Sequence, residues 1–232
     1  ADYHGFQILS DQPSVQGTLE QVLQRLTGQR PRIRYAGRTD AGVHAEGQVI
    51  AADIAWRHSL TDLERAWNAL LPADIAVREL TEVTDPRFHP RFSARSRVYR
   101  YTVWTAPWRS PLHRRYAHHE PKPLDVERMN QAAALLVGSH DFASFGQPTQ
   151  GESTTREVLR AGWQVNGPLL HFEIEANAFL RRMVRTVVGT LLDVGAGRRS
   201  VDNVSQVLEA QDRALASRPA PACGLCLVEV KY

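Results

Sequence analysis

Cysteine is scarce in this chain: Cys223 and Cys226 are the whole supply in 232 residues, too few for a disulfide framework. Lysine is nearly absent too, with only Lys122 and Lys231, so arginine fills almost every basic position. No stretch approaches the roughly 18 consecutive apolar residues of a membrane-spanning helix, and the first residues lack the basic-then-apolar layout of a secretory signal. A soluble, cytosolic protein is expected. There is no GxGxxG or Walker fingerprint and no Ser-centred nucleophile elbow, which disfavours a doubly wound nucleotide-binding fold and a hydrolase of that type. Internal repeats and low-complexity tracts are missing as well. What is present is ordinary globular composition, 43% apolar and 23% charged, in a length suited to one or two domains.

Net charge is only +3, but its distribution is uneven. Residues 87 to 115 carry eight arginines and no acid, interleaved with Phe88, Phe92, Tyr99, Tyr101, Trp104 and Trp108. Arg30, Arg32, Arg34 and Arg38 form a second acid-free stretch. Guanidinium forks match phosphate oxygens and aromatic rings stack on unpaired bases, so this mixture suits RNA. The plainer reading is that arginine simply replaces lysine throughout.

Apolar spacing predicts five helices. The first carries Val15, Leu19, Val22, Leu23 and Leu26 and stops at Gly28; the second carries Leu63, Trp67 and Leu70, with a Thr61–Glu64 capping box, and ends before Pro72. Met129 to Leu136 follows Asp125 as N-cap and ends at Gly138. Phe179, Met183, Val187, Val188, Leu191 and Leu192 form the longest stripe, and Ser200 caps a last helix with Val204, Val207 and Leu208. Strands are expected at residues 32–36, 47–55, 75–80, 97–104, 158–165, 169–176 and 225–231. In the fourth, Tyr99, Tyr101 and Val103 share one face. The pattern reads as α+β, with antiparallel sheet and helices on one face. The stretch from Pro107 to Pro123 reads as a long loop inside the second half.

Gly37-Arg38-Thr39-Asp40-Ala41-Gly42-Val43-His44 is the most informative segment: glycines at both ends and one carboxylate flanked by an arginine and a histidine, just after an alternating strand. Such a loop can present a reactive carboxylate over a rigid scaffold. It can equally be a turn in which Asp40 accepts backbone N–H bonds. Cys223-Gly224-Leu225-Cys226 has the spacing of half a zinc or redox site, but a lone pair cannot close a tetrahedron. Alternation puts Cys226 with Val228 and Val230 on an apolar face, so both cysteines read as small hydrophobes. His118-His119 and His140-Asp141 have no ligand spacing and are expected at the surface or in loops.

The Asp40 segment resembles the signature of the TruA-type tRNA pseudouridine synthases, in which an arginine, a threonine and the catalytic aspartate precede Ala-Gly-Val-His. Tyr3-His4-Gly5-Phe6-Gln7 resembles the family's opening motif, and Gly47-Gln48-Val49 its continuation. Phe88-His89-Pro90-Arg91-Phe92-Ser93-Ala94 with Tyr99-Arg100-Tyr101 resembles the second motif. Asn177-Ala178-Phe179, Met183-Val184-Arg185 and Gly189 resemble the third, and Gly224-Leu225 with Tyr232 the closing strand. The resemblance covers nearly the whole chain in the family's order. Members carry a strand and a Tyr-Asp-Gly turn ahead of the opening motif, where this chain has only Ala1 and Asp2, so that first edge strand is expected to be missing.

The resemblance implies a pseudouridine-synthase fold of two RRM-like, ferredoxin-like halves, with largely antiparallel sheet and a cleft between them. Residues 1–90 would carry the catalytic Asp loop and residues 91–232 the Tyr and Arg motifs. It implies conversion of uridine to pseudouridine in the anticodon stem-loop of tRNA, without cofactor or metal, by a homodimer. Asp40 would be the catalytic carboxylate, as nucleophile or as base. Tyr99 would stack on the uracil, and Arg185 would pair with Asp40 and keep it ionised. Arg38 would reach toward the RNA, Thr39 and His44 would belong to the substrate site, and Arg91, Arg95, Arg97, Arg181 and Arg182 are RNA-contact candidates. A second reading is a module that binds structured RNA without modifying it.

Overall fold

The computed structural model describes residues 2–9, 11–148 and 151–232. In chain order the elements are α1 (Val15–Thr27), β1 (Arg34–Tyr35), β2 (His44–Ala45), β3 (Ile50–Ala51), α2 (Leu60–Leu70), β4 (Ser96–Trp104), β5 (His118–His119), α3 (Val126–Ala134), β6 (Gly138–Asp141), β7 (Thr155–Asn166), β8 (Leu169–Ala176), α4 (Met183–Gly195), α5 (Asn203–Ala210) and β9 (Leu225–Lys231). They divide into two units: unit 1 holds residues 1–42 and 48–94, and unit 2 holds residues 43–47 and 95–232.

Unit 1 is built on two amphipathic helices. Ser14 caps α1 by accepting the Gly17 N–H, and Gly28, in the left-handed region, closes it. Ser59 caps α2 by accepting the Asp62 N–H at 3.0 Å, so Thr61 lies inside the helix rather than at its cap. Leu19, Val22 and Leu23 of α1 and Leu63 and Trp67 of α2 share one core with Phe6, Ile33 and Val77.

The strands of unit 1 are shorter than expected. Residues 32–36 and 47–55 contribute only the pairs Arg34↔Ala51 and Tyr35↔Ile50, and residues 75–80 form no strand. Side chains take the backbone groups that a ladder would otherwise use. Gln16 Nε2 donates to the Ile33 carbonyl (3.1 Å), while Glu20 Oε1 accepts the Ile33 N–H (2.9 Å). Asn68 donates to the Val77 carbonyl (2.7 Å) and accepts its N–H (2.8 Å), and Gln29 holds Ala55 in the same way (2.8 and 3.0 Å). Glu64, the expected capping partner of Thr61, accepts the Leu80 N–H at 3.1 Å.

Unit 2 carries a seven-stranded sheet in the order β2-β9-β4-β8-β7-β6, with β5 beside β4. Only β2–β9 and β4–β5 run parallel. Tyr99, Tyr101 and Val103 of β4 sit opposite Ile174, Phe172 and Leu170 of β8, which makes one buried apolar face. The opposite face carries an ion ladder: Arg100 and Arg160 pair with Glu173 (2.7 and 3.1 Å), and Arg160 and Lys231 pair with Glu175 (both 2.9 Å). Burial alone would push the Glu175 carboxyl up, but hydrogen bonds from Ser96, Lys231 and Arg160 together outweigh it and hold the group at about 2.

Several elements differ from expectation. The stripe that begins at Phe179 becomes helical only at Met183, and α4 is buried nearly all round. The last helix begins after Asp202, not Ser200. Asp125 does cap α3, accepting the Arg128 N–H at 3.0 Å, but the helix ends at Ala134, because Gly138 already opens β6. His118-His119 and His140-Asp141 are strand residues of intermediate exposure, not loop residues. A bulge corrects the cysteine reading: Glu229 pairs with Val98 but Leu227 with Tyr99, so Val228 drops out of register. Val230 thereby joins Leu225 and Leu227 on the face of Tyr99, while Cys226 lies opposite Arg100 on the other. Burial raises both thiols, Cys226 to about 11, and keeps them protonated near neutrality. Among the described residues no helix is long and apolar enough to cross a membrane.

Candidate functional site

The Asp40 loop leaves β1 and is pinned at two points ahead of the aspartate. Upstream, the Gln48 side chain donates to the Gly37 carbonyl (2.6 Å) and accepts its N–H (3.1 Å), while the Ala36 N–H bonds to the Val49 carbonyl (2.9 Å). Next to the aspartate, the Thr39 carbonyl accepts the Phe6 N–H at 3.1 Å. Gly5 makes that approach possible: its φ is +103°, and a Cβ there would sit 2.7 Å from the Thr39 oxygen. The opening motif therefore serves as a brace for the aspartate loop. Thr39 is buried, Asp40 is half-buried and Arg38 is exposed.

A turn aspartate would accept backbone N–H bonds. Among the described residues the Asp40 carboxylate accepts none and belongs to no ion pair. The loop is held through its backbone, and its carboxylate is unpartnered among the described residues.

In unit 2, Tyr99 stands on the apolar face of β4, 9% exposed, with the ring of Phe179 edge-on at 5.1 Å. Arg185 lies in the first turn of α4. Its Nε donates to the Ala220 carbonyl (2.7 Å), and its own carbonyl accepts the Ala220 N–H (2.8 Å). One turn on, a Cβ at Gly189 would lie 2.1 Å from the Arg218 carbonyl oxygen, so the 218–220 segment rests directly on the helix. Nε anchors the guanidinium, and among the described residues its two terminal nitrogens donate to nothing.

His44 belongs to unit 2, where Nε2 bonds to the Arg115 carbonyl at 2.7 Å and the ring meets Tyr116 at 4.7 Å. Of the arginine candidates, Arg91 lies over the ring of Phe92, itself 68% exposed. Arg95, Arg181 and Arg182 are exposed. Arg97 is only 8% exposed, and its Nη1 donates to the Asn177 carbonyl at 2.8 Å, which ties its charge to the fold of unit 2. Sequence reasoning did not single out Arg213. It is a lone arginine after α5, yet it lines a polar cavity of about 320 Å³ with Gln147, Arg181 and Arg182. Nothing in local spacing marks it. Among the described residues no group of three or more His, Cys, Asp or Glu side chains could hold a metal ion.

The tRNA pseudouridine synthase family model matches residues 1–93 and 132–232. The tRNA pseudouridine synthase A of Geobacillus sp. (strain WCH70) is 44% identical over 99% of this chain and 93% of its own length. The proteins of that name from Geobacillus kaustophilus and Chloroflexus aurantiacus are each 45% identical, over 99% and 100% of this chain and 90% and 84% of their own lengths. With its motifs in order and the match running from end to end, this chain belongs to the tRNA pseudouridine synthase family.

Proposed function

We propose that this protein isomerises uridine to pseudouridine in the anticodon stem-loop of tRNA, with Asp40 as the catalytic carboxylate. The observation that carries the reading is the Asp40 loop, rigidly held by its backbone with the carboxylate unpartnered among the described residues. In the reaction the N1–C1′ bond breaks and a C5–C1′ bond forms; the C5 hydrogen leaves as a proton, and N1 gains one. No electrons enter or leave. One carboxylate suffices, provided the base is out of the stack and the detached uracil is held while it turns.

Tyr99 supplies the flat surface for the uracil, and its edge contact with Phe179 keeps the ring in place. Arg185, anchored through Nε, has its terminal nitrogens available to stabilise the Asp40 anion during turnover. Arg38 is exposed and suited to contact the RNA, and Thr39 and His44 complete the substrate set. A homodimer working in the cytoplasm fits a substrate larger than one subunit.

The test is tritium release from tRNA transcripts labelled at C5 of uridine. The reading expects release by this chain, and none from transcripts in which the anticodon-stem uridines are replaced. Tight tRNA binding with no release from any transcript would leave an RNA-binding module in its place.

A further inference from the structure

Two polar cavities in unit 2 are lined by arginines, and they differ in one respect. The larger, about 520 Å³, is lined by Asp193, Arg198, Arg199, Ser200 and Asn203, and Asp193 pairs with Arg198 at 2.7 Å and with Arg199 at 3.7 Å. One carboxylate is shared by both of its arginines and offsets part of their charge. The smaller is lined by Gln147, Arg181, Arg182 and Arg213, with no acid on its wall among the described residues.

The second wall is built, not incidental. The backbones of Gln147 and Arg181 exchange hydrogen bonds in both directions (2.8 and 3.4 Å). Arg213 is half-buried and fixed through Nη1 to the Ser144 carbonyl at 3.2 Å. Burial first, and then the neighbouring charge of Arg182, lower its guanidinium from the ordinary value. Arg182 stands at the N-cap of α4 with φ +65° and no side-chain cap bond. That left-handed conformation costs about 1 kcal/mol or more for a residue other than glycine. A strained Arg182 and a half-buried Arg213 thus stand side by side with like charges, and an anion between them would offset both the repulsion and the cost of burying the Arg213 charge.

We propose that this cavity seats a backbone phosphate of the RNA, held by the guanidinium forks of Arg182 and Arg213 with Gln147 and Arg181 at its rim. The proposal rests on the reading of this chain as a tRNA-modifying enzyme. It goes further by assigning a phosphate contact to the N-terminal end of α4, the helix whose first turn carries Arg185. Guanidinium forks match phosphate oxygens bidentately, which favours a phosphodiester over a dispersed acidic surface.

Two measurements test it, neither needing turnover. In the first, inorganic phosphate is titrated while the arginine Nε–H resonances are followed; those of Arg182 and Arg213 are expected to move in the parent and those of Arg213 to stay put in Arg182→Gln. In the second, tRNA affinity is measured across salt concentrations. Arg182→Gln is expected to weaken binding about 3- to 10-fold near 0.1 M salt and to flatten the log–log salt slope by about one. Arg213→Gln should do the same; if loss of its Ser144 contact prevents folding, Arg181→Gln replaces it. Arg65→Gln, an exposed position in unit 1, is the control and should leave the slope in place. Unchanged slopes in the cavity variants, or an equal drop in the control, would overturn the proposal. Phosphate shifts without a slope change would make the cavity a free-phosphate site and remove the RNA from it. Parent protein that binds tRNA with the expected slopes but releases no tritium would sink the catalytic reading and leave this one standing.

Discussion

The two units satisfy their backbones by different means. In unit 2 the main strands are long and pair with one another, and amide side chains substitute for a neighbour at strand ends: Asn130 holds both the N–H (2.7 Å) and the carbonyl (3.2 Å) of Trp163 where β7 runs beyond β6, and Asn177 Oδ1 accepts the Glu157 N–H (3.2 Å) just past the end of β8. In unit 1 the strands are two residues long, and Gln29, Gln48 and Asn68 each grip one residue's N–H and carbonyl together. A ladder spreads its stability over many bonds. A single-residue clamp concentrates it, and one of the clamps sits at the root of the aspartate loop. Unit 2 thus has the character of a stability reservoir, while unit 1 has that of a positioning device.

Substitutions can break this contrast, and the largest effect belongs to unit 2. Gly189→Ala would drive a methyl into the Arg218 carbonyl, and a loss of about 3 kcal/mol in urea unfolding is expected. Next comes the ion ladder. Because the Glu175 carboxyl is held at about 2 against an ordinary value of 4.5, its contribution is complete above pH 4.5 and disappears as pH falls toward 2. Allowing for the exposure of Arg160 and Lys231, the loss is on the order of 2 kcal/mol, and Glu175→Gln should flatten acid unfolding over that window.

The unit 1 changes move stability less and activity more. Gly5→Ala strains a positive φ and presses on the Thr39 carbonyl; about 1–2 kcal/mol of stability and about a hundredfold in kcat are expected to go. Gln48→Glu removes the donor to the Gly37 carbonyl while keeping an acceptor, with about 1 kcal/mol lost and roughly tenfold in kcat. If these two variants lost stability as heavily as Gly189→Ala while keeping their turnover, the division of labour would collapse.

The same contrast explains what could be read from the sequence. Strands β4, β7, β8 and β9 run for seven residues or more and are rich in β-branched, aromatic and leucine residues, and helices α1 and α2 carry clear apolar stripes, so all were legible. A glutamine or asparagine that replaces a strand has no period, so the collapse of residues 75–80 onto Asn68 and Glu64 was not. The bulge at Val228 was hidden for a related reason: one extra residue inverts the pattern on which alternation depends. Asp40 was visible as a carboxylate in a glycine-bounded loop, but whether it served the turn depended on who held the backbone. Gly5, Phe6 and Gln48 do so from distant points in the sequence.

The most direct measurement is therefore Asp40→Asn, assayed at once for C5-tritium release and for thermal unfolding. If the loop is held by its backbone and the carboxylate is kept for chemistry, release falls below detection while the unfolding midpoint stays within about 2 °C of the parent, because no hydrogen bond is lost. Retained release, or a midpoint several degrees lower, would make Asp40 a turn residue and contradict the account.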